Sequence, residues 1–272
     1  MSPVTTVPIA PVAPRWLALL VLVAGVVAWP MTGARAQDAG KVLRTMADFI
    51  TGQQTIWMTF DSDIEVITSE LQKLQFTSSG QVLLRRPDKL RATRAGGYAD
   101  VELVFDGTTA SVLGKNINAF AQAEAPGTVD ELIDRLRERF NVAMPGADLL
   151  LTRVYDELMD GVIDAKHIGH GVIDGVDCDH LAFRTHDVDW QVWVEIGARP
   201  IPRKYVITSK SVSGAPQYTL RIKEWRTDVQ LAADAFSFTA PRDAKRVEFV
   251  ALREIDEIPP AQPAPQASGG RR

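Results

Sequence analysis

The chain has 272 residues, 46% of them hydrophobic and 24% charged, an ordinary globular balance with enough apolar material for one large core or two small ones. Lysine and arginine number 30 against 34 acidic residues, a net charge of −4, and this surplus of acid speaks against nucleic acid as a partner. Cys178 is the only cysteine, so no internal disulfide forms and the fold must hold by packing.

Residues 1–36 read as an export signal. Arg15 precedes an apolar run of 14 residues, Trp16 to Trp29, short of the roughly 20 that span a bilayer. Ala34-Arg35-Ala36 then supplies a small-x-small cleavage pattern before Gln37. A retained N-terminal anchor is the competing reading. Cleavage after Ala36 removes Arg15 and Arg35 and no acid, which lowers the basic count from 30 to 28 against 34 and leaves −6. The expected compartment is the periplasm, and no cysteine follows the cleavage point to take a lipid.

In the remaining chain, Val42, Leu43, Met46, Phe49 and Ile50 fall at helical spacing over Lys41–Ile50, with Gly52 suited to end that helix in a left-handed conformation. From Thr55 the period becomes two: Ile56, Met58, Phe60, Ser62, Ile64 and Val66 alternate with a mostly polar set, which predicts a long strand. A second strand runs from Leu74 and Phe76 through Gly80, Val82 and Leu84 until Pro87, which cannot donate to a ladder. Leu90, Ala92 and Arg94 make a third strand, Gly96-Gly97 a turn, and Val101, Leu103 and Phe105 a fourth. Asp106-Gly107 is a hairpin signal leading to Thr109–Leu113, and Phe120–Ala123 follows as a sixth strand.

The period then turns helical. Thr128 with Glu131 fits a capping box, followed by Val129, Leu132, Ile133, Leu136 and Phe140 on one face. Pro145-Gly146 breaks the run, and Leu149–Met159 reads as a second helix capped by Asp148. The apolar faces of these helices need a surface, and the sheet is the large one on offer. Strands resume near Ala165, with a turn at Asp174-Gly175, then Val176–Arg184, Trp190–Ile196, Tyr205–Ser209 and Tyr218–Trp225. Phe236 and Phe238 start a short terminal strand, and residues 259–272 are too polar and proline-rich to order themselves. A single domain over 37–258 is expected.

The order Arg85-Arg86-Pro87-Asp88-Lys89-Leu90, Phe105-Asp106-Gly107-Thr108, lid-like helices, returning strands and Phe236-Ser237-Phe238-Thr239-Ala240-Pro241 resembles the LolA/LolB superfamily of bacterial lipoprotein carriers. Within it, Cys178–Arg184, Asp189–Val194 and Pro200–Lys204 are similar to the DUF2092 family of exported proteins. The resemblance covers roughly Lys41 to Val247. It implies an α+β fold, an unclosed antiparallel β-barrel or half-barrel, with helices covering the concave apolar face. In the carriers, the arginine of the Arg-Pro step hydrogen-bonds the lid until an acyl chain enters; that position is Arg86 here, and Leu132 and Leu136 are the matching lid contacts. Leu90 stands where the carriers have an aromatic.

Met58, Phe60, Leu74, Phe76, Leu84, Leu90, Leu103 and Phe105 share one phase of successive strands and form the candidate ligand-binding surface. A filled core and a cavity holding a lipid use the same residues, so the sequence leaves both open. The rival chemistry is a cluster: His167, His170, His180 and His186 lie close to Cys178 and several aspartates. Such a set suits zinc. On an extended strand, however, His167 and His170 point to opposite sides, and Cys178 and His180 share the face opposite Asp177 and Asp179. Cys178 reads as a small buried apolar group. No nucleophile-plus-base arrangement, phosphate loop or helical His-Glu-x-x-His is present. The expectation is a soluble periplasmic carrier, not an enzyme and without a cofactor. Its ligand is a lipid or lipoprotein acyl chain. The alternatives are an envelope-stress sensor or protein-interaction module with an envelope protein partner, and a metal-dependent enzyme using the His/Asp cluster.

Overall fold

Apolar–polar alternation with a period of two runs through most of this sequence, and the backbone follows it into strands. The computed structural model describes residues 32–248 apart from positions 141 and 143. The apolar run at 16–29 and the tail at 259–272 lie outside the described residues. In chain order the elements are α1 (Thr32–Thr51), β1 (Thr55–Ile67), β2 (Lys73–Arg85), β3 (Lys89–Gly96), β4 (Asp100–Phe105), β5 (Thr109–Gly114) and β6 (Ala119–Glu124). Next come α2 (Val129–Phe140), a 3-10 turn (Ala147–Leu150) and α3 (Val154–Met159). The returning strands are β7 (Asp164–Ile173), β8 (Val176–Arg184), β9 (Val188–Glu195), β10 (Pro202–Ser209), β11 (Gln217–Thr227) and β12 (Lys245–Arg246). No described helix is long and apolar enough to cross a membrane.

The strands form one sheet in the order β12-β6-β5-β4-β3-β2-β1-β11-β10-β9-β8-β7. All neighbours are antiparallel except the two-residue β12 beside β6. Since β12 and β7 end the order without pairing, the barrel is unclosed. The meander splits at β1, which pairs with β2 along its whole length and with the late strand β11 on its other side. This 13-residue strand thus joins the two half-sheets, whose inner faces share one buried core.

Register decides the inner face. Met58 lies opposite Val82 and Trp225, Leu84 opposite Leu90, and Leu90 opposite Phe105. On the other half, Tyr205 lies opposite Leu220 and Val192, and Val192 opposite Leu181. These residues join Leu43, Met46 and Ile50 of α1 and Ile133, Leu149 and Leu151 of the later helical segments in one buried core. The half-barrel with helices over its concave apolar face is the architecture expected.

Several local expectations are corrected. The first helix runs over Thr32–Thr51, longer than the expected Lys41–Ile50. Gly52 keeps a negative φ, with its N–H on Asp48 O at 3.0 Å in a helical continuation. The second helix of the cover is broken in two, and Asp148 sits inside the 3-10 turn with Gly146 in the cap position. The break turns the Leu150 and Leu151 carbonyls away from helical partners and toward Arg86. Phe236 and Phe238 form no strand; they lie against the convex face, where Phe238 packs on Phe120 at 5.7 Å and Arg85 stands over the Phe236 ring. The terminal strand is Lys245–Arg246 instead.

Candidate functional site

The cover over the inner face is built first from α2. Its capping box forms as the sequence predicts: Glu131 Oε2 accepts from the Thr128 N–H at 2.7 Å, and Thr128 Oγ1 from the Glu131 N–H at 3.2 Å. Leu132, Ile133 and Leu136 are buried against the sheet, and the polar side of α2 reaches the segment that follows. Asp130 accepts from the Thr152 N–H at 3.0 Å and the Thr152 hydroxyl at 2.6 Å. Asp134 holds Arg153 at 2.8 Å. Arg137 pairs with Asp148 of the 3-10 turn and, at 3.1 Å, with Glu157 of α3. Burial pushes the Asp148 carboxyl up from its ordinary 3.8, against the opposing pull of Arg137. Ionic and polar ties thus bind α2, the 3-10 turn and α3 to one another. The Asp130–Thr152, Arg137–Asp148 and Asp134–Arg153 ties were not legible from sequence, because their partners lie 11 to 22 residues apart across a chain reversal.

The cover meets the sheet differently. Apart from apolar packing, Arg86 Nη1 donates to Leu150 O at 2.8 Å and Nη2 to Leu151 O at 3.3 Å. The Val129 N–H donates to Pro87 O at 2.8 Å. Arg86 is 9% exposed, and its Nε has no hydrogen-bond partner among the described residues. Burial lowers the guanidinium's pKa from its ordinary value, and the charge of Asp130 works the other way. Arg86 thus joins the end of β2 to the stretch between the 3-10 turn and α3, and Leu132 and Leu136 are buried in the common core.

The eight residues of the candidate ligand surface separate into two groups. Met58, Leu84, Leu90, Leu103 and Phe105 are buried under the helices, with Phe60 half-buried beside them. Phe60 lies across Gly80, where a Cβ would come within 2.3 Å of the Phe60 ring and 2.4 Å of Thr93 O. Beyond this point a buried serine pair, Ser62 Oγ to Ser78 Oγ at 2.8 Å, interrupts the apolar surface. Past the serines the inner face is open: Leu74 is 36% exposed and Phe76 half-buried. These two share the phase of the core residues but stand outside the core, because they occupy the tip of the β1–β2 hairpin, which no described helix covers. Phe76 meets Tyr98 edge-to-face at 5.5 Å, and a cavity of about 160 Å³ lies between them and Ser78, Arg94 and Gly97.

The histidine cluster is also divided. Cys178 and His180 face the convex side: Cys178 is buried with its thiol on Val176 O at 3.4 Å, and burial pushes its pKa up. His180 stacks on Trp193 at 4.0 Å and bonds Gln191 at 2.9 Å. His167 and His170 do not point apart. A register shift between His167 and Gly169 sets His167 opposite Leu181 and His170 opposite Asp179, so both lie on the inner face with Asp179. The reading of an unbroken strand fails at that bulge.

Among solved structures, the chain is similar to an uncharacterized conserved protein from Thermus thermophilus, with 12% identity over 78% of this chain and 99% of that one and a TM-score of 0.47. It is similar to LprF from Mycobacterium bovis at 11% identity, 77% and 99% coverage and a TM-score of 0.44. A further likeness is to the MucA/MucB complex of Pseudomonas aeruginosa, at 14% identity, 75% of this chain, 62% of that chain and a TM-score of 0.41. No curated protein matches it. The family described as "Predicted periplasmic protein (DUF2092)" matches residues 39–250, which is most of the chain, and this protein belongs to it.

Proposed function

We propose that this is a periplasmic binding protein that shelters an apolar ligand, a lipid or an acyl chain, between the half-barrel and its helical cover. The observation that carries the reading is the unequal fastening of that cover. Internally it is braced by Asp130–Thr152, Asp134–Arg153 and Arg137 with Asp148 and Glu157. To the sheet it is held by apolar packing, one backbone bond and the buried Arg86 guanidinium. A unit braced within itself, with few polar ties to the sheet, can move over that apolar face as a body. Its displacement would uncover Met58, Leu84, Leu90, Leu103 and Phe105 to take the ligand's apolar part. In this reading the space beneath the cover is filled by helix side chains until ligand replaces them, and Arg86 is the latch.

Native mass spectrometry and organic extraction of protein purified from the periplasm test it. Co-purified lipid, or a fatty-acid probe retained at about one equivalent, is the expected result. Protein that is repeatedly lipid-free and indifferent to fatty-acid probes overturns it.

A second reading, an interaction module for an envelope protein, is favoured by the hairpin tip. β3 ends at Gly96 opposite Ser78, which among the described residues leaves Lys73–Thr77 of β2 without a strand on that side, next to Phe76 and Tyr98. An unpaired edge flanked by aromatics accepts an added strand. Recovery of an envelope protein without lipid, lost in Tyr98→Ala, would select this reading.

A further inference from the structure

We propose that His167, His170 and Asp179 form a binding site for a divalent transition cation, zinc first, with at least one coordination position open to solvent. The site is made by the bulge in β7. A uniform strand places residues three apart on opposite faces. Here one extra residue at Ile168 and the positive φ of Gly169, +141°, return the second histidine to the face of the first. β8 presents Asp179 on that same face, opposite His170.

The geometry that results is convergent. His167 Nε2 lies 2.8 Å and His170 Nδ1 3.3 Å from the same oxygen, Asp179 Oδ1. The two rings stand nearly perpendicular, 78° with centroids 5.9 Å apart, and one donor atom from each residue lies within 4.8 Å of the others. A tetrahedral zinc with ligands at about 2.0–2.2 Å needs its donors about 3.3–3.6 Å apart, so small side-chain rotations suffice. Two borderline imidazoles beside one hard carboxylate form a mixed set that suits first-row divalent ions such as zinc ahead of calcium or magnesium. Two neutral rings and one carboxylate leave a bound dication with a net positive charge, so the open position favours water or an anionic group.

Access supports the same reading. The His170 side chain is 71% exposed, whereas His167 and Asp179 are 23% and 20% exposed. Two donors are thus held by packing and the third closes over an ion arriving from solvent. The other soft or imidazole donors nearby do not compete: Cys178 and His180 are turned to the convex face and occupied there.

The test is calorimetric titration of the full chain, produced without a histidine tag, with zinc chloride in a non-chelating buffer. The expected result is one equivalent bound with a Kd below about 10 µM, a clear saturable transition. His170→Ala is expected to weaken binding by at least roughly tenfold, the scale on which even outer-shell changes act. Asp179→Asn should do the same, and His186→Ala should leave the isotherm unchanged. The exposure of His170 makes its variant safe for folding, which circular dichroism checks, so the proposal stands or falls on that variant if Asp179→Asn is unstable. A cobalt(II) titration adds a readout of geometry: visible absorption of low-coordinate cobalt should appear in the native protein and vanish in His170→Ala. No saturable zinc binding up to about 100 µM, or binding unaltered in His170→Ala, overturns the assignment.

Discussion

Arg86 Nη1 lies 2.8 Å from the carbonyl oxygen of Leu150, a contact that spans 64 residues and joins the end of β2 to the broken segment of the cover. A second donor on the same guanidinium reaches Leu151 O at 3.3 Å. The two carbonyls are free to accept because the chain leaves helical geometry there, so the break in the cover and the buried charge satisfy each other.

Arg86→Leu leaves both carbonyls without that donor. The loss should cost about 1–3 kcal/mol, partly offset because a charge no longer has to be buried. The effect should be local: amide exchange over 145–159 rises at least roughly tenfold while β1 and β2 keep their protection. Arg86→Lys, with a single point of donation, should fall between. Exchange mass spectrometry that finds the cover unchanged in Arg86→Leu would mean that apolar packing and the Val129–Pro87 backbone bond hold it without Arg86.

Arg137→Ala should destabilise the protein by about 2 kcal/mol at neutral pH, less than for a fully buried pair, because Asp148 loses its cation. The sign with pH follows from Asp148. Burial holds its folded pKa above the unfolded 3.8, so ionising it costs stability as pH rises through that window. Removing Arg137 widens the window. Thermal unfolding at about pH 4 and pH 7 should therefore show the larger deficit at the higher pH.

Gly80→Ala places a Cβ against the Phe60 ring and against the fixed carbonyl of Thr93. The expected cost is about 1–3 kcal/mol, read as a fall in Tm of about 2–4 °C per kcal/mol. Trimming the ring with Phe60→Leu should not rescue it, because the backbone contact remains. Full rescue would assign the whole conflict to the ring.

Asp106 Oδ1 accepts from the N–H groups of Thr108 and Thr109 and from the Thr108 hydroxyl, at 2.8 to 2.9 Å. Burial pushes its carboxyl up, but these donors and Lys89 outweigh it, and the pKa lies below the ordinary 3.8. A depressed carboxylate contributes stability that is present above the unfolded value and lost as pH falls through the folded one. Asp106→Ala should lower Tm at about pH 7, and the gap to the native protein should close by about pH 2.

What the sequence determined by itself is whatever depends on neighbours within a few residues. Period-two runs from Thr55, the turns at Asp106-Gly107 and Asp174-Gly175, and the Thr128/Glu131 cap were legible because alternation and capping act over one to four positions. The order of these elements also sufficed to recognise the covered half-barrel. Tertiary structure alone decided the site. Leu74 and Phe76 keep the phase of Leu84, yet whether they are buried depends on where helices from another part of the chain stop. Arg86 finds its acceptors because the cover unwinds at Leu150 and Leu151. His167 and His170 share a face because pairing with β8 accommodates one extra residue. Strand phase is a local property, whereas the cover, the Arg86 contact and the bulge are set by which distant backbone lies alongside, and no spacing within the strand itself carries that information.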